Sequence, residues 1–171
     1  KLSKKFNIIT DYIRPKKYSL DNTSIAETMY HFYNWTKLNK IKFDYIIILQ
    51  PTSPLRSSLD INNSIKIVKK YKPLSLFSIS ESLEHPYDVI KNLGKNKWKP
   101  ILKRSNKFFR RQDFDLKSYF INGAIYITHK DLIKKKKIYD LNNHQTYIMP
   151  KSKSFEVDDY EDIKIIKKLI N

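Results

Sequence analysis

Apolar and polar positions along this chain follow periods that change several times, and each change marks an element. Residues 7–13 make a short apolar run closed by Arg14-Pro15, which reads as a strand. Thr23-Ser24 then offers an N-cap with Glu27 in the turn behind it, and Ile25, Met29, Phe32, Tyr33 and Thr36 recur at helical spacing. From Asp44 to Leu49 the chain is almost continuously apolar and ends in a proline-rich turn, the pattern of a strand buried on both faces. Ser57 or Ser58 caps a second helix with Leu59, Ile61, Ile65 and Val68 inward, and residues 74–80 form a further strand.

The rhythm breaks over residues 84–118, which hold Pro86, Pro100, Gly94, a polar turn at 92–97 and a basic stretch with few periodic apolar positions. Residues 119–128 return to a strong strand. A short helix at 132–137, a short strand at 145–149 and an amphipathic helix at 160–170, with Ile163, Ile166 and Ile170 inward, complete the pattern. Strand alternates with helix, so the expected class is α/β with a mostly parallel sheet, and 84–118 is an excursion from it. In such folds ligands bind beyond the carboxyl ends of the strands.

Composition bounds this picture. The 171 residues suit a single domain, and 40% apolar content is enough for a core. The longest purely apolar run, from Tyr45 to Leu49, is far short of the roughly 20 residues of a membrane helix. Without cysteine the chain forms no disulfide or thiolate metal site, which points to a reducing cytoplasm. The net charge of +17 raises nucleic-acid binding as a function, yet only five of the 34 basic residues are arginine. The lysines are spread along a chain rich in Ile, Asn, Tyr and Phe, as an AT-rich genome would encode. The one dense run, Lys134 to Lys137, reads as a solvated helix end.

Three segments carry residue types suited to chemistry. Leu49-Gln50-Pro51-Thr52-Ser53-Pro54-Leu55-Arg56 follows the most buried-looking strand, and its prolines hold Gln50, Thr52 and Ser53 in a fixed presentation of amide and hydroxyl groups. That mix suits a polyhydroxylated ligand; it equally suits an ordinary strand-to-helix turn. Arg110-Arg111-Gln112-Asp113 precedes Tyr119-Phe120-Ile121-Asn122-Gly123-Ala124-Ile125-Tyr126, and guanidinium pairs bind carboxylate or phosphate as readily as they form surface ion pairs. Gly123 inside a strong strand signals a close approach or a bulge. In Ser154-Phe155-Glu156-Val157-Asp158-Asp159, alternation puts Glu156 and Asp158 on one face, where two carboxylates can share Mg²⁺. The same residues can instead cap the last helix through Asp158 or Asp159.

The first string resembles the signature of the acylneuraminate cytidylyltransferases, the synthetases of CMP-sialic acid, in all eight positions. The Arg-Arg-Gln-Asp and Asn-Gly-Ala-Ile-Tyr strings and the acidic pair are similar to the same family. The resemblance implies a three-layer, nucleotide-diphospho-sugar transferase-like (Rossmann-like) fold, and transfer of CMP from CTP to a nonulosonic acid. It implies that Gln50, Thr52, Ser53, Asn122 and Gly123 bind sugar, that Arg111 meets a carboxylate or phosphate, and that Glu156 and Asp158 hold Mg²⁺. The family's usual Asp-x-Asp here has Glu156 in first place. A weaker match at Arg14-Pro15 with Asp21 and Ser24 makes Arg14 a CTP contact, and His85-Pro86 matches a pair common in the family without an assigned role.

The family's glycine-containing CTP loop has no counterpart among these residues, whose only glycines are Gly94 and Gly123. Since the chain opens on Lys1, an incomplete N-terminus is expected, with a gap between apolar strands where the family's first strand would lie. A homodimer through 84–118 is the family's habit. Two other functions remain open: a partial homologue that binds sugar without transfer, and a basic nucleic-acid-binding domain. No motif distinguishes sialic, legionaminic and pseudaminic acids.

Overall fold

The computed structural model of the chain describes residues 5, 6, 8, 11–103 and 117–170. Helix α1 spans Ile25–Leu38 and starts where the sequence marks it, with the Ser24 hydroxyl accepting from the Glu27 N–H. Strand β1 is Tyr45–Ile48 and helix α2 is Ser58–Tyr71. Ser57 and Asp60 close a reciprocal capping box at the start of α2. Strand β2, Ser75–Glu81, leads to a small hairpin of β3, Ile90–Asn92, and β4, Trp98–Pro100. Strand β5 is Tyr119–His129, followed by helix α3 at Lys130–Lys134, strand β6 at His144–Ile148 and helix α4 at Tyr160–Ile170.

The main sheet has four strands in the order β1-β5-β2-β6. Only the β2–β6 pair is parallel; β5 runs antiparallel to both β1 and β2. This corrects the expectation of a mostly parallel sheet, and the cause lies in the excursion. Glu81 at the end of β2 pairs with Tyr119 at the start of β5, and the Ser82 N–H donates to the Ser118 carbonyl at 2.9 Å. The chain therefore leaves and re-enters the sheet at one end, so its next strand must run backward. A parallel return needs a crossover to the opposite end. The α/β class holds, with a mixed sheet.

Other expectations also change. The described residues of 7–13, which are 8 and 11–13, form no strand. No gap separates the strands of the sheet; β1 instead lies at an edge. Of the three isoleucines expected inward on α4, Ile166 is 5% exposed, but Ile163 is 37% and Ile170 64% exposed. Ile163 and Ile166 line an open cleft with Pro51, Thr52, Pro54 and Val157, and Ile170 lies outside it. No helix among the described residues is long and apolar enough to cross a membrane.

The core sits where β5 runs between β1 and β2. Every residue from 122 to 128 is buried, because strands and helices cover this stretch on all sides. Val68 of α2 packs with Leu76, Ala124, Ile125, Ile127 and Met149, and Ile61 and Ile65 extend the contact. Phe77, next to Leu76, faces the opposite side, where its ring stacks on His144 at 5.1 Å and meets Tyr139 at 5.3 Å.

One buried carboxylate ties α2 to the distal part of the chain. Asp60 is 2% exposed and accepts from Ser57, from the Tyr147 hydroxyl at 3.0 Å and from the Lys153 ammonium at 3.1 Å. Burial alone raises its pKa, but the hydrogen bonds from Ser57, Lys153 and Tyr147 outweigh it and hold the carboxyl below its usual value. A lowered carboxyl stabilises the fold above an unfolded-state value of about 3.9, and that contribution disappears as pH falls through the folded-state value. Asp60→Asn is therefore expected to cost about 2–3 kcal/mol in urea unfolding at pH 7. The deficit should shrink as pH drops below about 3.9; a deficit that stays constant down to pH ~2 contradicts this account.

Candidate functional site

The turn after β1 is held in place from behind. The Ser53 N–H donates to the Gln50 carbonyl at 3.3 Å, closing the turn. Arg56 Nη1 donates to the carbonyls of Gln50 at 3.1 Å and of Ala124 at 2.6 Å, fastening the turn to the middle of β5. Burial lowers the Arg56 pKa, yet a guanidinium stays charged, and hydrogen bonds from a charged donor contribute about 1.5–3 kcal/mol. Arg56 closes the eight-residue string, and the sequence reading gave it no role. Only the spatial neighbourhood of Ala124 reveals it.

Gly123 has φ +67, in the left-handed region that favours glycine. A Cβ built there would stand 2.8 Å from Gln50 Oε1 and 3.0 Å from Glu156 Oε1. The missing side chain thus brings three segments together: the turn after β1, the start of the buried part of β5, and the stretch ahead of α4. Thr52 joins them, because its hydroxyl donates to Glu156 Oε1 at 3.3 Å and its carbonyl accepts from the Val157 N–H at 2.8 Å. Burial, then Tyr139, then the Glu156 carboxylate raise the pKa of Tyr126, which places that phenol within the carboxylate's field.

The remaining predicted residues occupy distinct environments. Ser53 is 2% exposed, and its hydroxyl has no hydrogen-bond partner among the described residues. Asn122 is 1% exposed inside β5 and hydrogen-bonds Ser78 and Ser154. Asp158 is exposed; its N–H donates to Asp162 at 2.9 Å, while its carboxylate has no hydrogen bond or ion pair among the described residues. The cap of α4 is Asp159, whose Oδ1 accepts from the N–H groups of Glu161 and Asp162 at 2.8 and 3.0 Å. Arg14, exposed, donates to Ser19 at 3.1 Å, and no hydrogen bond among the described residues joins it to Gln50, Gly123 or Glu156. Arg111 lies outside the described residues.

Among the described residues no group of three or more His, Asp or Glu side chains comes together. Glu156 and Asp158 are two carboxylates two residues apart, a minimal set of oxygen donors for a cation. It fits Mg²⁺, which binds through one or two carboxylates and completes its shell with water and phosphate oxygens. The oxygens of Gln50 and Glu156 facing the space at Gly123 supply the same hard-donor chemistry.

No family model matches the chain. Curated relatives do match it. The N-acylneuraminate cytidylyltransferase of Streptococcus agalactiae is 30% identical over 116 residues, covering 68% of this chain and 28% of that protein. The post-translational flagellin modification protein B of Campylobacter coli is 30% identical over 131 residues, 77% of this chain and 54% of that protein. The chain is a homologue of the N-acylneuraminate cytidylyltransferases. The CMP-N,N'-diacetyllegionaminic acid synthase of Legionella pneumophila extends the likeness, at 26% identity over 93% of this chain and 68% of that protein. The chain spans less than a third of the streptococcal cytidylyltransferase's length.

Gly123→Ala tests the geometry of this homologue directly. The left-handed backbone is expected to cost about 1–2 kcal/mol once a Cβ is present, and Gln50 and Glu156 must move away. Urea unfolding measures the cost; a variant as stable as the wild type contradicts the close approach.

Proposed function

We propose that this chain provides the sugar- and metal-binding part of a nucleotidyltransferase that joins CMP from CTP to a nonulosonic acid. The observation that carries the reading is the meeting of Gln50, Thr52 and Glu156 over Gly123, three segments far apart in sequence. In the reaction the anomeric hydroxyl attacks the α-phosphorus of CTP, loses its proton, and pyrophosphate leaves. Such transfer depends on in-line positioning and charge neutralisation rather than covalent help from the protein.

Gln50 and Thr52 orient the sugar from a turn that Arg56 holds in place; the Ser53 hydroxyl, without a hydrogen-bond partner among the described residues, is buried in the same turn. Gly123 leaves room for a ligand to approach the strand. Glu156 and Asp158 would hold Mg²⁺, which when bound offsets triphosphate charge. Asp158, whose carboxylate has no partner among the described residues, and Arg111 are the groups assigned to the reacting phosphates; Arg14 is a CTP contact. A homodimer would cover apolar side chains that the excursion exposes, among them Ile90, Leu93 and Trp98.

The assay is pyrophosphate release from CTP and Mg²⁺ with sialic, legionaminic and pseudaminic acids, using the product of the complete reading frame. Release with at least one acid is expected, and Asp158→Asn should lower kcat/KM by on the order of a hundredfold, about 2.7 kcal/mol of barrier. Sugar binding without release would identify a partial homologue. Tight, steeply salt-dependent DNA binding with no response to CTP would replace the enzyme reading altogether.

A further inference from the structure

We propose that Asn122 is a positioning residue that fixes where the Glu156 carboxylate lies, acting through Ser154. The inference rests on the metal reading above. A carboxamide offers two N–H donors and two acceptor sites on its oxygen. All four are engaged within the fold. Asn122 Oδ1 accepts from the Ser78 hydroxyl and from the Ala124 N–H at 3.3 Å, while Nδ2 donates to Ser154 Oγ at 2.9 Å and to Met149 Sδ at 3.5 Å. At 1% exposure, Asn122 has no hydrogen-bonding capacity left for a ligand.

What this amide holds is the chain that leads to Glu156. The Ser154 hydroxyl, accepting from Asn122, donates onward to the Pro150 carbonyl at 3.0 Å, so its orientation is set at both ends. Glu156 follows two residues later, about 7 Å along an extended chain, and its carboxylate reaches back to Gly123, the neighbour of Asn122. Asn122 and Gly123 thus act on the same segment, one as anchor and the other as gap. Beyond Glu156 the Val157 N–H is fastened to Thr52. Removing the Ser154 contact leaves Lys153, one residue further back, as the nearest tie on that side, and so loosens the span that sets the carboxylate; groups that orient a metal ligand typically contribute 10–100-fold in affinity.

The test is titration with Mn²⁺, a spin-active stand-in for Mg²⁺, followed by electron paramagnetic resonance on the wild type, Ser154→Ala, Asn122→Ala and the double variant. Glu156→Gln locates the ion, and urea unfolding confirms that each variant is folded. Asn122→Ala strands four buried partners; if it fails to fold, Ser154→Ala, which removes one hydroxyl, carries the test alone. Each single variant is expected to weaken Mn²⁺ binding about tenfold or more, the double variant no further, with sugar-acid affinity unchanged within about twofold. Wild-type uptake of Mn²⁺ with equal affinity in the variants overturns the proposal and leaves the metal reading standing. Loss of sugar affinity with Mn²⁺ binding intact overturns it in favour of a direct sugar contact. No Mn²⁺ uptake by the wild type overturns the metal reading, and the proposal with it.

Discussion

A methyl group on residue 123 would stand 2.8 Å from the Gln50 side-chain oxygen and 3.0 Å from that of Glu156, so one or both of these side-chain ends would have to shift. That close approach marks the centre of the candidate site. The turn after β1 and the segment before α4 meet over bare backbone of β5, at a residue whose positive φ favours glycine. The other contacts support the convergence. Arg56 fastens the turn to β5, Thr52 joins turn to segment, and Asn122 holds the segment from within the sheet.

The stretch from Lys151 to Val157 is held at three points in succession. The Lys153 ammonium pairs with buried Asp60 at the start of α2, Ser154 meets Asn122 of β5, and the Val157 N–H meets Thr52. These anchors differ in kind: one is an ion pair, one a side-chain network inside the sheet, one a backbone bond. Between them lies Glu156, whose carboxylate needs no contact of its own beyond Thr52 to be held in place. A stretch with only a single 3-10 turn at Lys151–Lys153 thus acquires a defined path from a helix, a strand and a turn that are remote in sequence.

The reversed direction of β5 has a cost and a use. The excursion after β2 must fold upon itself, as the β3–β4 hairpin does, and it leaves Ile90 and Trp98 exposed. In return, β5 lies between β1 and β2 and is buried along the stretch that holds Asn122 and Gly123. A polar network at that depth has little room to rearrange, so the residues it positions share the rigidity of the core.

Much of this was legible in the residues themselves. The Ser24 and Ser57 caps, the Tyr-Ile run of β1, the long apolar β5 and the boundaries of α4 follow from local propensity and period, which act over a few residues. The strings around Gln50, Gly123 and Glu156 suit a site or an ordinary turn equally by residue type, and it is their resemblance to the cytidylyltransferases that singles them out. Strand direction is a different matter. It depends on which end of the sheet the chain returns to after residues 84–118, and no local pattern encodes that. The separate fates of Asp158 and Asp159, the carbonyls that Arg56 grips, and the complete engagement of Asn122 are likewise set by groups tens of residues away. Sequence by itself determined most of the elements of the main sheet and the likeness to the family, because both are written in short strings. Only the tertiary structure decided which atoms face one another over Gly123, because that depends on a close approach between distant segments.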